Sequence, residues 1–257
     1  MGILNVTPDS FSDGSRFDTV DTAMARAHEI AAEGAAIIDV GGESTRPGAS
    51  PVGIQEEIDR VVPVIEKIAA AVDIAVSVDT RKLSVMRAAV KAGACIVNDV
   101  NALRSDGARE WAAAQGVGVC LMHMRGEPRT MQSDPHYVDV VAEVAEFLSG
   151  ERAACIDAGI AADAIVLDPG IGFGKRHEHN MTLLKKLKRL TTLGSPLLIG
   201  VSRKSLIGKV LGVEFDQRLY GGLGLAALAV SMGAKIIRTH DVAATREAVT
   251  MVGAVLS

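Results

Sequence analysis

DTAMARAHEIAAEGAAIIDV, residues 21–40, contains two kinds of order in sequence. Up to Gly34 it is alanine-rich, with apolar residues returning at the three-to-four spacing of an amphipathic helix; AAIIDV is then a short apolar run that reads as a buried strand. Gly34 stands between them, where a left-handed residue closes a helix. The same change of period recurs along the chain. Strands are expected at GILN (2–5), AAIIDV (35–40), IAVSVD (74–79), CIVND (95–99), GVCLMH (118–123), AIVLD (164–168), PLLIGV (196–201) and KIIRT (235–239). Helical stretches such as IQEEIDRVVPVIEKIAAA (54–71) lie between them, and Gly93, Gly116, Gly159, Gly194 and Gly233 repeat the joint made by Gly34. Eight βα units predict a single (β/α)₈ TIM barrel over residues 1–257, with the active site at the C-terminal ends of the strands. An open doubly wound sheet would instead carry G-x-G-x-x-G after its first strand, and NVTPDSFSDG (5–14) is unlike it.

Composition agrees with that class. The 257 residues are 48% hydrophobic and 23% charged, but only 3% aromatic, so the core must be built from Ala, Val, Ile and Leu. A net charge of −4 offers no basic footprint for nucleic acid or an anionic membrane, and any bound anion needs a local site. Cys95, Cys120 and Cys155 have no metal-ligand spacing and are expected to be buried, reduced thiols of a cytoplasmic protein. No apolar run approaches a membrane span, and MGILNVTPDS lacks the pattern of a signal peptide.

Nearly every expected strand ends on a group that ionises or hydrogen-bonds: Asn5, Asp39, Asp79, Asn98 with Asp99, His123, Asp168, Ser202, and Arg238 with His240. One such residue would simply mark where a strand meets solvent. Their repetition at the mouth of a barrel predicts an active site. Asp79, Asn98 and Asp168 suit a flat heterocycle rich in N–H donors, since a carboxylate accepts two parallel hydrogen bonds. Arg203, Lys204, Arg238 and His240 bring positive or donor groups after strands seven and eight, the usual phosphate end of a barrel.

Other features carry less. The alternating glycines of DPGIGFGK (168–175) let backbone approach a ligand but equally make a tight loop, and Phe173 within them could stack on a ring. Met122 could line a pocket, whereas Met124 suits plain packing. His177 and His179 read as an exposed turn without a third metal ligand, and KKLKR (185–189) as a solvated helix face. The serines of SRKS lie in no nucleophile elbow, and no Ser-His-Asp arrangement is evident. GGESTRPGAS (41–50), directly after AAIIDV, offers donors and acceptors with no apolar face to bury, as a loop built around a polar guest would.

NVTPDSFSDG (5–14), GGESTRPG (41–48), DPGIGFGK (168–175), SRKSLIG (202–208) and RTHDV (238–242), in that order and across essentially the whole chain, resemble the dihydropteroate synthases of the folate pathway. The resemblance implies condensation of 6-hydroxymethyl-7,8-dihydropterin pyrophosphate with p-aminobenzoate. It implies a pterin site of Asp79, Asn98, Met122, Asp168, Phe173 and Lys204, and a pyrophosphate site of Asn5, Thr45, Arg46, Arg238 and His240. Phe11, Thr45, Arg46, Pro47, Phe173 and Ser202 would frame p-aminobenzoate, and Asn5 would bind Mg²⁺. Asp79, Asp168, Lys204 and Arg238 would be the catalytic groups, in a homodimer open to sulfonamide inhibition. Departure of pyrophosphate leaves a cation on the pterin methylene, which nearby carboxylates stabilise while the metal and the basic rim hold the leaving group. The arylamine is neutral at pH 7 and needs no dedicated base. A non-catalytic pterin-binding barrel, or a relative of the methyltetrahydrofolate methyltransferases, is the alternative.

The sequence departs from the family pattern in three places. The chain begins at Met1-Gly2-Ile3 where relatives carry a short β-hairpin, which implies a barrel floor without its usual plug, or a trimmed chain. Leu83 replaces a common proline, and Gly222 and Gly224 replace Ser and Ala in a helix expected at the dimer interface. Thr45, Arg46 and Pro47 are expected to form a lid over the second substrate, with Glu43 as a structural partner inside the loop.

Overall fold

Each expected apolar run becomes a strand in the computed structural model, which describes residues 1–7, 16–44 and 48–256. The strands are β1 (Gly2–Asn5), β2 (Ile37–Gly41), β3 (Ala75–Asp79), β4 (Ile96–Asp99), β5 (Gly118–Met122), β6 (Ile165–Asp168), β7 (Leu198–Gly200) and β8 (Ile236–Arg238). Between and after them run α1 (Arg16–Ala32), α2 (Ile54–Ala71), α3 (Leu83–Lys91), α4 (Ala108–Gln115), α5 (Val140–Asp157), α6 (His177–Lys185), α7 (Ser205–Leu211), α8 (Leu219–Ser231) and α9 (Val242–Leu256). Most strands are shorter than the apolar runs that announce them, because the flanking residues lie in the joints. The helix read from residue 21 starts earlier, at Arg16. All six predicted joint glycines adopt positive φ, between +67° and +117°.

β1 to β6 pair in chain order, all parallel, and β7 pairs with β8. Parallel bridges Leu167 to Leu197 and Gly2 to Thr239 join these two arcs into a closed TIM barrel. Ile3 N–H donates to Thr239 O at 2.9 Å, and Leu167 N–H to Pro196 O at 3.0 Å. Closure matters energetically because it leaves no row of unpaired strand edges.

The apolar core lies between sheet and helices. Leu4, Val40, Val78, Val97, Val119 and Leu167 alternate outward and pack against helix residues such as Ile30, Val61, Ile65, Met86 and Leu148. The intervening positions, Asn5, Asp39, Ser77, Asp79, Asn98 and Asp168, turn by strand alternation into the lumen. In β3 polar residues repeat with that period, at Ser77 and Asp79.

Three expectations need correction here. Cys120 and Cys155 are buried, but Cys95 is exposed: it sits one residue ahead of β4, in the joint and outside the layer between strands and helices. His177 and His179 form the first turn of α6, where His179 Nδ1 accepts the Arg176 N–H at 3.1 Å. KKLKR is exposed at its charged positions, yet it straddles the end of α6 and a following 3₁₀ turn instead of one helix face. Among the described residues, no helix is long and apolar enough to cross a membrane.

Candidate active site

Arg238, at the end of β8, reaches across the lumen to two carboxylates. Its Nε donates to Asp39 Oδ2 at 2.6 Å and its Nη2 to Asp79 Oδ2 at 2.7 Å. Asn98 Nδ2 donates to the same Asp39 oxygen at 2.9 Å. Burial works against the guanidinium's charge, but Asp39 and Asp79 outweigh it and hold Arg238 ionised. Burial raises the Asp79 carboxyl above its ordinary range, with Arg238 opposing and Asp39 reinforcing the shift. Asp39 is 0% exposed, and its partners make it the keystone of the ring. Its acid was visible in AAIIDV, but a role for it was not.

Asn5 lies beside this cluster. A Cβ placed on Gly41 would stand 3.5 Å from Asn5 Oδ1 and 3.8 Å from Asp79 Oδ2, so the bare glycine lets both side chains share that corner of the mouth. On the opposite wall Asp168 is buried, its Oδ1 accepting the Gly170 N–H at 2.7 Å; burial raises its carboxyl and that hydrogen bond opposes the rise. Met122, paired in register with Asp168, packs with Val100, Met124, Met131 and Phe173.

After β7 the chain turns through Arg203 at φ +55°, a left-handed conformation that sends neighbouring side chains to opposite sides. Lys204 goes inward, its Nζ 4.2 Å from the Phe173 ring centroid, and burial lowers its ammonium to about 8 against the pull of Asp168. Arg203 goes outward to a two-pronged pair with Asp241 at 2.6 and 3.1 Å, which removes it from the predicted cationic rim. Ser202 and His240 meet: Ser202 Oγ lies 3.0 Å from His240 Nδ1 and accepts the His240 N–H at 3.2 Å. A serine and a histidine are thus brought together after all, but the adjacent Asp241 is engaged by Arg203.

The glycine loop after β6 is bracketed by side chains. Asn180 Oδ1 accepts the Gly172 N–H at 2.7 Å, Gln132 Nε2 donates to Gly172 O at 2.6 Å, and Tyr137 O–H donates to Gly174 O at 2.8 Å. Beneath it Lys175 Nζ stands 2.9 Å from Gly170 O, 3.0 Å from Phe173 O, 3.2 Å from His123 O and 2.9 Å from His123 Nδ1. Burial lowers Lys175 to about 7 and, with Lys175 adding to it, His123 to about 2, so His123 is neutral and accepts. Lys175 and Asn180 escaped the sequence reading, although Lys175 is the last letter of the quoted motif.

Two predicted mouth residues face elsewhere. His123 leaves the lumen for Lys175 and the edge of Phe147, 4.9 Å between ring centroids. Asp99, one residue beyond the inward Asn98, points outward and spends its carboxylate on the N–H groups of Asn101 and Leu103, at 2.7 and 2.8 Å. Phe11, Thr45, Arg46 and Pro47 lie outside the described residues. The stem of the loop after β2, to which residues 45–47 belong, is anchored by Glu43, which accepts the Val52 N–H at 3.0 Å and pairs with Lys82 at 3.1 Å; Lys82 also pairs with buried Glu57. Glu43 thus has the expected partner inside the loop and another outside it, on the N-terminal side of α3.

Residues 1–240 match the family described as pterin binding enzyme. Over its whole length the chain is 51% identical to a dihydropteroate synthase of Escherichia coli, of which it covers 91%. It superposes on a Xanthomonas albilineans dihydropteroate synthase with 4-aminobenzoic acid at a TM-score of 0.94 and 50% identity, covering 100% of this chain and 92% of that one. A Yersinia pestis dihydropteroate synthase with a sulfonamide drug complex gives a TM-score of 0.94 at 48% identity, with 100% and 93% covered.

Proposed function

Because the chain belongs to the pterin-binding enzyme family, in which it is a dihydropteroate synthase, we propose that its polar lumen holds the pterin and its outer rim the diphosphate and the arylamine. The enzyme condenses 6-hydroxymethyl-7,8-dihydropterin pyrophosphate with p-aminobenzoate, giving 7,8-dihydropteroate and pyrophosphate. The observation that carries the assignment is the convergence of Asp79, Asn98, Asp168 and Arg238 from four strand ends, and of Lys204 from the turn after β7, on one mouth.

In this reading Asp79, Asn98 and Asp168 accept from or donate to the ring edge, Met122 packs against its face, and Lys204 donates from the Phe173 side. The methylene C–O bond breaks and its electron pair leaves with pyrophosphate; the cation left behind is spread over the ring, close to the carboxylates. The arylamine nitrogen then forms the new C–N bond and gives up its proton to water. Arg238 and His240 face the diphosphate, with Thr45 and Arg46 from the second loop; Phe173, Ser202, Phe11, Thr45, Arg46 and Pro47 frame the arylamine. Sulfonamides, which mimic p-aminobenzoate, compete for the same subsite. Turnover of labelled p-aminobenzoate with the pterin pyrophosphate and Mg²⁺ tests the whole scheme, and a folded protein giving no dihydropteroate defeats it.

Mg²⁺ fits the donors available. The ion takes hard oxygen ligands, keeps several waters and binds through one or two protein groups plus substrate phosphates. Asn5 offers one carboxamide oxygen at the mouth, and among the described residues no cluster of His, Cys, Asp or Glu competes for the ion. Bound there, Mg²⁺ would neutralise charge on the departing diphosphate.

Two results are expected from single groups. Asp79→Ala should weaken binding of the pterin pyrophosphate by about 2–3 kcal/mol, the scale of a hydrogen bond to a charged group; an unchanged Kd by calorimetry overturns the assignment. Lys204 carries its charge only below about pH 8 in the free protein. Affinity for the pterin pyrophosphate should therefore fall as pH rises through 8, and Lys204→Gln should flatten that slope. Stability has the opposite sign: the unfolded chain keeps this proton to about 10.4, so the free protein gains stability from Lys204 between about 8 and 10.4. Parallel pH dependences of affinity and stability would contradict the proposal.

The active form is proposed to be a cytoplasmic homodimer. α8 packs along α9, and around them Tyr220 is 81%, Met251 66% and Val255 80% exposed, an apolar surface that a second copy would cover. The unpaired thiols suit a reducing compartment. Light scattering should give about twice 26.8 kDa, with Met251→Asp/Val255→Asp monomeric; a monomeric parent protein excludes the dimer.

A further inference from the structure

The loop after β6 holds a buried lysine that the chemistry above does not use. Gly170 O accepts the Phe173 N–H at 3.0 Å, closing a tight turn, and Lys175 Nζ grips the carbonyl at each end of that turn while leaning on His123. The ammonium has three protons to share among four acceptors. The turn is already closed by its own backbone, and burying a charge is costly. What the ammonium adds is the orientation of the peptide that follows Phe173, and with it the stance of the ring over Lys204.

The geometry points to Lys175 as a positioning residue for p-aminobenzoate: through the Gly170 and Phe173 carbonyls it sets where the Phe173 ring stands, and so the width of the arylamine subsite. Tyr137 does the same from the far side through Gly174 O. This rests on the reading that Phe173 frames p-aminobenzoate. Asp79 and Asn98 hold the pterin from β3 and β4, which Lys175 does not touch, and the Phe173 N–H to Gly170 O bond keeps the turn, with Asp168 on the Gly170 N–H, closed without it. p-Aminobenzoate depends on the Phe173 ring, so its KM should respond more strongly than the pterin Kd.

The experiment compares Lys175→Met, Tyr137→Phe and Phe173→Ala in the full-length enzyme, measuring kcat, KM for p-aminobenzoate, and Kd for the pterin pyrophosphate. Lys175→Met should raise the p-aminobenzoate KM about tenfold and Tyr137→Phe about threefold, with kcat and the pterin Kd within about twofold of the parent. A merely structural lysine would instead lower kcat and weaken both substrates together, in step with lost folded protein. That outcome, or an unchanged p-aminobenzoate KM in folded Lys175→Met, overturns the inference; if Lys175→Met does not fold, Tyr137→Phe decides by the same criterion. Phe173→Ala separates the two levels. An unchanged KM there removes the subsite reading itself, whereas a raised KM with unaffected Lys175 and Tyr137 variants removes only the positioning role.

Discussion

Arg238→Met is expected to cost about 3–5 kcal/mol of stability in urea denaturation at pH 7, because removing one partner of a buried pair leaves the others uncompensated. Asp39, fully buried, and Asp79 both accept from this guanidinium. Without it, two carboxylates face each other in the lumen. Their protonation would then be favoured by folding, so the deficit should shrink as the pH is lowered from 7 towards 5. Adding Asp39→Asn to Arg238→Met should restore part of the loss by removing one stranded charge. A deficit under about 1 kcal/mol, or one that grows on acidification, would show that the three groups do not form a coupled ring. Activity should be lost in either background, since the residue also faces the diphosphate in the proposed scheme.

Gly170→Ala should lower kcat/KM on the order of 100-fold while leaving the barrel folded, the scale for a displacement of about 1 Å at a reacting centre. The residue has φ +65°, and a Cβ there would stand 2.0 Å from His123 O, backbone that cannot swing aside. Relief requires the turn to move outward. The Gly170 N–H holds Asp168 Oδ1, so the carboxylate moves with it. Gly212→Ala is the control: its φ of +68° imposes similar strain, about 1–2 kcal/mol, but nothing lies within 4 Å of its Cβ. Steady-state kinetics should show Gly212→Ala near parent activity. A loss of less than threefold in Gly170→Ala would mean that the loop tolerates displacement.

Much of this architecture could be read along the chain. AAIIDV, IAVSVD and AIVLD are strands because a continuous apolar run between glycine joints can be buried on both faces, and each carries its acid near the end that opens at the mouth. The joints at Gly34, Gly93 and Gly159 were legible for the same reason, since a left-handed residue between helix and strand leaves a local mark. Asp79 and Asp168, proposed above to hold the pterin, could be placed at the mouth from their position at strand ends, and the roles proposed for them came from the resemblance.

Other parts had no local mark. Arg238 and Asp39 are 199 residues apart and meet only because the barrel closes β8 onto β1. Asn98 and Asp99 are neighbours in sequence, yet one faces the lumen and the other the loop, because alternate residues of a strand point to opposite sides. Arg203 and Lys204 are separated by the left-handed turn at Arg203, and Lys175 found its four acceptors in two different segments of backbone and one imidazole. Period, joints and the chemical character of the strand ends are short-range properties, so the order of residues is enough to specify them. Which polar group faces inward, which charge it meets and which glycine admits a neighbour depend on strand parity and barrel closure, and these exist only once distant segments have packed.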